Sequence, residues 1–269
     1  MNESKSDMAS RIDCGVCGQP LVYATEPRAM QCNFCGREDK TLIYCPVGHY
    51  VCDACHSKAA VEVLRQVLET TSLTDPLAIL ELVMAHPSVP MHGPEHHAIV
   101  PGIIIAAVRN AGYAVPKGAI EKSLERASEV PGGWCGLYGD CGAAVGVGIA
   151  ISVLTSATPL TGPQRSLALR ATSTALARML DDQPRCCKRA SRIAIQVAVD
   201  FLKERLNIVL PQSVNPHCTY AFRNKQCAKE QCPFYNASGS VNEQMEAAKS
   251  IRRRQGQRDS TSDVVKLDK

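Results

Sequence analysis

The chain has 269 residues, 45% of them hydrophobic, and its 30 basic and 26 acidic side chains leave a net charge of +4. That length allows one sizeable core plus one small unit, and so mild a charge excess is no nucleic-acid footprint. Aromatic residues make up only 4%, with a single Trp, too few for a base-stacking surface or a large β-sandwich.

The opening MNESKSDMAS is polar and lacks an apolar stretch, so no signal peptide is expected and the chain is assigned to the cytoplasm. In that reducing compartment the fourteen cysteines read as metal ligands or reactive thiols rather than disulfides. Residues 1–12 form a loose lead-in. Residues 13–56 hold seven cysteines and two histidines but too little apolar sequence to fold without cross-links. Short strands are expected around Leu21–Tyr23 and Thr41–Tyr44.

This segment carries the strongest signal. Cys14-x2-Cys17 and Cys32-x2-Cys35 are two metal knuckles, each followed by glycine, and Cys45, His49, Cys52 and Cys55 supply four more donors. A CxxC turn sets two thiolates on one ion, and two such pairs close a tetrahedral zinc site. One or two structural zinc ions are expected. Sequential pairing would put Cys14, Cys17, Cys32 and Cys35 on one ion and Cys45, His49, Cys52 and Cys55 on the other. Interleaved pairing, as in cross-brace fingers, would combine Cys14 and Cys17 with Cys45 and His49, and Cys32 and Cys35 with Cys52 and Cys55. His56 could stand in for His49.

From Ser57 the apolar period changes to 3.6, with Val61, Leu64, Val67 and Leu68 marking a helix face. Thr74 or Asp75 can cap a second helix that has Pro76 in its first turn and ends near His86-Pro87. Further helices are predicted at Glu95–Ala111, Lys117–Ser128, Cys141–Ser156, Pro163–Leu180 and Arg189–Leu206. Cys141 to Gln164 is free of charge and long enough to span a bilayer. Its Gly, Ala, Ser and Thr content, and the breaks at Pro159 and Pro163, make it a buried core helix instead. The sequence therefore predicts a mainly α protein: a helical bundle over residues 57–236 behind a small zinc-ribbon or cross-brace module, with a polar tail over 237–269.

Four further clusters stand in the helical part. Met91-His92-Gly-Pro-Glu95-His96-His97 gathers three imidazoles and a carboxylate, suited to metal ligation or acid–base work. His86 reads as an ordinary core histidine. Cys135 and Cys141 flank a glycine-rich loop that opens an apolar helix, where amides and the helix dipole are expected to favour thiolate. Gly142, Gly146 and Gly148 would let another helix approach closely. Cys186-Cys187 sits among Arg185, Lys188 and Arg189, again at a helix start, and cations favour thiolate. Cys218, Cys227 and Cys232 make a clip that, with one more ligand such as Cys135 or Cys186, could hold a [4Fe–4S] cluster. Zinc with His217 is the rival. Walker A loops, nucleophile elbows and zincin helices are absent from the sequence, which argues against kinases and familiar hydrolases.

The strings MHGPEHH, PGGWCGLYGDCGAA, SATPLT and PRCCKR, with the final NKQC and CPF, together resemble the prokaryotic family called domain of unknown function 5714, over roughly residues 86–235. The resemblance implies an anaerobic setting, at times beside methyltransferase-like or radical-enzyme proteins, and so oxygen-sensitive metal or sulfur chemistry. The expected function is a metal-binding protein whose helical domain brings together Cys135, Cys141, Cys186, Cys187, His92, His96 and His97. Its alternatives are a finger adaptor or cluster-delivery protein, and a redox sensor built on Cys186-Cys187. Charge in the finger is balanced, so a protein partner is expected there in preference to nucleic acid. The substrate is left open, and no membrane partner is expected.

Overall fold

The structure, a computed structural model, describes Cys14, Val16 and residues 19–52, 59–212 and 215–236. The expected lead-in, Cys17, Cys55, His56 and the polar tail lie outside the described residues. The chain opens on an antiparallel hairpin of β1 (Val22–Gln31) and β2 (Glu38–Tyr44), with Val22 opposite Tyr44 and Gln31 opposite Glu38. β1 runs eight residues past the expected Tyr23, through a register shift between Tyr23 and Arg28. Most of β1 faces solvent, so no apolar alternation marked it in the sequence.

Eight α-helices follow among the described residues: α1 (Ala60–Thr70), α2 (Pro76–Met84), α3 (Glu95–Asn110), α4 (Ala119–Ser128), α5 (Trp134–Leu137), α6 (Gly142–Leu154), α7 (Gly162–Arg178) and α8 (Cys187–Leu206). The fold is mainly helical, as the sequence predicts. α1 buries Val63, Leu64, Val67 and Leu68; the expected Val61 is only half-buried, one step off the stripe. Asp75 caps α2 by accepting from the amides of Leu77 and Ala78 at 2.9 and 3.4 Å, and Pro76 takes the first helical position, where its missing N–H costs nothing. At the far end of α1, Arg109 donates to the Leu68 carbonyl at 2.7 Å and Asn110 to those of Thr71 and Leu73 at 2.8 Å, satisfying groups that a helix end leaves open.

α3 is the axle. It is buried continuously from His96 to Val108 and packs against α1, α2, α4, α6 and α8. Pro101 lies inside it and cannot donate back to the carbonyl of His97. α6 crosses α3 closely at Gly146, where a Cβ would meet that carbonyl at 3.1 Å and the Pro101 ring at 2.9 Å. The uncharged stretch is thus a core helix. No helix among the described residues is long and apolar enough to cross a membrane. After α8 two single 3₁₀ turns, Ala221–Arg223 and Lys229–Gln231, return the chain to the bundle.

Candidate functional site

In the hairpin module the antiparallel register decides which donors meet. Cys14 precedes β1 and Cys45 follows β2, so both stand at the open end, where Val22 pairs with Tyr44. Cys32 and Cys35 stand at the turn end, beyond the Gln31–Glu38 pair. The chain then runs back from His49 to the turn: Tyr50 receives a 2.9 Å bond from Asn33 and gives one back to its side chain, and the Cys52 amide donates to the Cys32 sulfur at 3.4 Å. The outcome is two donor groups, Cys14 with Cys45 and His49, and Cys32 with Cys35 and Cys52, each with its donor atoms within 4.8 Å of one another. This is the interleaved arrangement. The remaining member of each predicted set, Cys17 and Cys55, lies outside the described residues.

Spacing and electrostatics both suit a metal ion. The Cys14 sulfur lies 3.9 Å from Nδ1 of His49, and the Cys35 and Cys52 sulfurs are 3.7 Å apart; sulfurs at the corners of a zinc tetrahedron stand about 3.8 Å apart. Burial by itself would raise the Cys32 thiol, but the amides of Cys52, Cys35 and Phe34 aimed at its sulfur outweigh it and bring the pKa down to about 7. Phe34 packs edge-on against His86, ring centres 4.2 Å apart, and joins the module to the bundle. His86 is buried and its Nδ1 accepts from the Ser88 amide at 3.1 Å, the structural role expected of it.

The bundle holds a cavity of about 680 Å³ at the starts of α3, α6 and α8. Cys135, Cys141, Cys186, Cys187, His96 and His97 all line it. His92 does not; its Nε2 donates instead to Oδ1 of Asn224 at 3.2 Å. His96 and His97 each point Nδ1 at a backbone carbonyl, Gly93 at 3.3 Å and Val130 at 2.9 Å. A carbonyl only accepts, so these nitrogens carry the proton and the neutral rings keep an Nε2 lone pair, the tautomer of a metal-ligating or basic histidine. His96 is fully buried, its Nε2 has no partner, and burial holds its pKa down at about 3. A Cβ on Gly142 would overlap the His97 ring, so only glycine lets this imidazole lie beside Cys141.

The thiols here are not the thiolates that the helix starts suggested. Cys141 is the N-cap of α6 and Cys187 the first residue of α8. Burial nevertheless pushes both pKa values up, more than the amides of Ala143 and Ala144 at Cys141, or that of Gly93 at Cys187, pull them down. The desolvation that comes with packing a helix start into a core outweighs its dipole.

Cys186 faces a second, narrow cavity as well, where Cys218, Cys227 and Cys232 join it. The vicinal pair is therefore shared between two chambers, and the His92–His97 segment holds both members: the Gly93 amide bonds Cys187, while His92 orients Asn224, whose Nδ2 lies 3.8 Å from the Cys186 sulfur. Cys218 and Cys227 each accept an amide from two residues ahead, Tyr220 and Lys229, at 3.4 Å. Lys229 takes a left-handed φ of 48° to present it. Amides turned onto sulfur suit metal ligation, although burial pushes the free Cys218 thiol up more than the Tyr220 amide pulls it down. His217 does not line this cavity.

Two buried cations complete it. Arg192 forms a bidentate pair with Glu81 at 2.6 and 2.8 Å. Lys188 is 1% exposed, donates to the Met84 carbonyl at 3.2 Å, sits 4.2 Å from the centre of the Tyr220 ring, and has no ion pair among the described residues. The sequence pointed to Lys188 only as a cation near cysteines, and it did not point to Arg192 or Asn224. A signal for the two cations was present: they fall four apart on the stripe that Ile195, Val199 and Leu202 continue into the core.

A family model described as "Family of unknown function (DUF5714)" matches residues 64–235, starting upstream of the stretch that carried the resemblance. Neither a curated protein nor a solved structure matches the chain.

Proposed function

The chain belongs to this family, whose description assigns no chemistry, and we propose from its own residues that it is a metal–thiolate protein: Cys186, Cys218, Cys227 and Cys232 hold a [4Fe–4S] cluster, and the neighbouring cavity of Cys135, Cys141, Cys187, His96 and His97 is its working site. The observation that carries this reading is the meeting of four thiols, from the start of α8 and the carboxyl-terminal turns, around one narrow chamber beside Lys188 and Arg192. Burial, with Arg192 beside it, brings the Lys188 pKa down to about 7, so its ammonium form needs a counter-charge. Thiolates and an anionic cluster would supply one. Among the described residues the donor groups packed tightly enough for a single ion are those of the finger, which favours a larger centre for these four sulfurs. A zinc ion on the same thiols is the second reading, favoured by the narrowness of the chamber. In the finger the donor chemistry and spacing support zinc in both groups, and its balanced charge supports docking to another protein.

Anaerobic purification followed by metal and sulfide analysis tests the proposal. The expected result is about four iron and four sulfide per chain with broad absorption near 400 nm, lost in Cys227→Ser/Cys232→Ser and kept in Cys14→Ser. Protein that takes up zinc at these thiols and no iron would select the second reading.

A further inference from the structure

The large cavity has three chemically distinct zones. Its floor, at the start of α3, is lined by His96 and His97, whose Nδ1 atoms are spent on carbonyls, so that Nε2 is the acceptor of each ring when neutral. Nε2 of His96 lies fully buried just beneath this floor with no partner of its own, an acceptor left without a donor. One wall is apolar, made by Leu176 and Met179 near the end of α7 and by Ile193 of α8. At the rim, Arg189 is neutralised by Asp181 at 2.7 Å, whereas Arg185 is exposed and enters no ion pair among the described residues. A volume of about 680 Å³ exceeds what an ion or a few waters need and falls in the range of organic ligands.

We propose that this cavity binds a small organic anion with an apolar body, its carboxylate or similar group against Arg185 and a hydroxyl or thiol at the opposite end donating to the imidazole lone pairs. The inference rests on the reading of this cavity as the working site and holds whichever metal the four thiols carry. A ligand so placed lies against Cys187 and on the near side of Cys186, the thiol that both chambers share.

Full-length protein prepared anaerobically, with iron, sulfide and zinc measured on the same sample, is titrated calorimetrically with four probes: para-hydroxyphenylpropionate, para-mercaptophenylpropionate, phenylpropionate and para-ethylphenol. One of the first two should bind about tenfold more tightly than phenylpropionate, which lacks the donor, and the tighter of them tells hydroxyl from thiol. Arg185→Glu should weaken the anions about tenfold and leave para-ethylphenol unchanged. Ala190→Phe, which fills the cavity from α8, should abolish binding of all four; Trp134, the single tryptophan and a lining residue, reports the same loss by fluorescence. Should Ala190→Phe fail to fold, the exposed Arg185→Glu decides alone. Equal affinity for probes with and without the donor, or anion binding indifferent to Arg185→Glu, would overturn the inference. Iron-free protein that still binds as expected would sink the cluster and leave the pocket; iron-loaded protein that binds no probe would do the reverse.

Discussion

The hairpin module and the helical bundle use the same side chains for opposite purposes. In the hairpin, five of the six described donors are buried, they fall into two compact groups, and backbone bonds and a few mostly exposed side-chain contacts such as Arg37–Asp39 surround them. Hydrophobic cohesion is thin there, so the fold and the donor groups depend on each other. In the bundle, helices bury an apolar core in which no cysteine is fully buried among the described residues. Its cysteines occupy helix starts and turns around cavities, half-buried or exposed. The contrast separates thiols that build structure from thiols that the structure merely positions, and the second kind can be spent on chemistry.

The sharpest way to break that contrast is to remove metal. Chelation, or Cys45→Ser with Cys52→Ser, should unfold the hairpin if its two donor groups hold the proposed zinc, which would supply on the order of 10 kcal/mol per ion to so small a unit. Hydrogen exchange should show amides of 22–44 losing protection while those of α3 and α6 keep theirs. Cys141→Ser/Cys187→Ser should leave both regions protected. Collapse of the bundle on chelation would erase the distinction between the two regions.

How far the sequence went follows the same divide. The knuckles, the Asp75-Pro76 cap and the helix spans were legible because each is a local pattern of spacing or capping. Convergence of Cys135, Cys141, Cys186 and Cys187 with His96 and His97 on one cavity could be anticipated only as a coincidence of helix starts. The donor pairing was not legible, since both schemes use identical spacings and the choice lies in the hairpin register. The thiol ionisation went wrong because sequence shows a helix start but not how deeply it is buried. The short α5 was hidden among glycines, and His92 was grouped with its neighbours although it lies in the bend before α3 and meets Asn224.

Acid should distinguish the regions next. His96 has its pKa lowered from 6.5 to about 3 by burial, so between those values the unfolded chain holds a proton that the folded one does not. Stability is therefore full above about pH 6.5 and falls as pH drops toward 3, by about 2 kcal/mol between pH 7 and pH 5 from this group alone. Urea unfolding of the bundle at the two pH values measures the difference, and His96→Leu should remove that share of it. An unchanged pH dependence in the variant would mean that His96 is charged in the fold, and the lone pair assigned to the cavity floor would go with it.

The smallest effect tests whether the two regions are energetically separate. Asp75 is buried and caps α2 through two amides, and Asp75→Ala should lower the stability of the bundle by about 1 kcal/mol. If the bundle folds on its own apolar core, that loss is the same with metal bound or chelated. The joint between the regions is the Phe34 ring on His86, which follows α2 by a single turn. Strain at the cap would reach the hairpin most directly through that contact. A loss that changes once the metal is gone would therefore show coupling across Phe34, and Phe34→Ala should restore additivity; additivity without that change would establish two independent units.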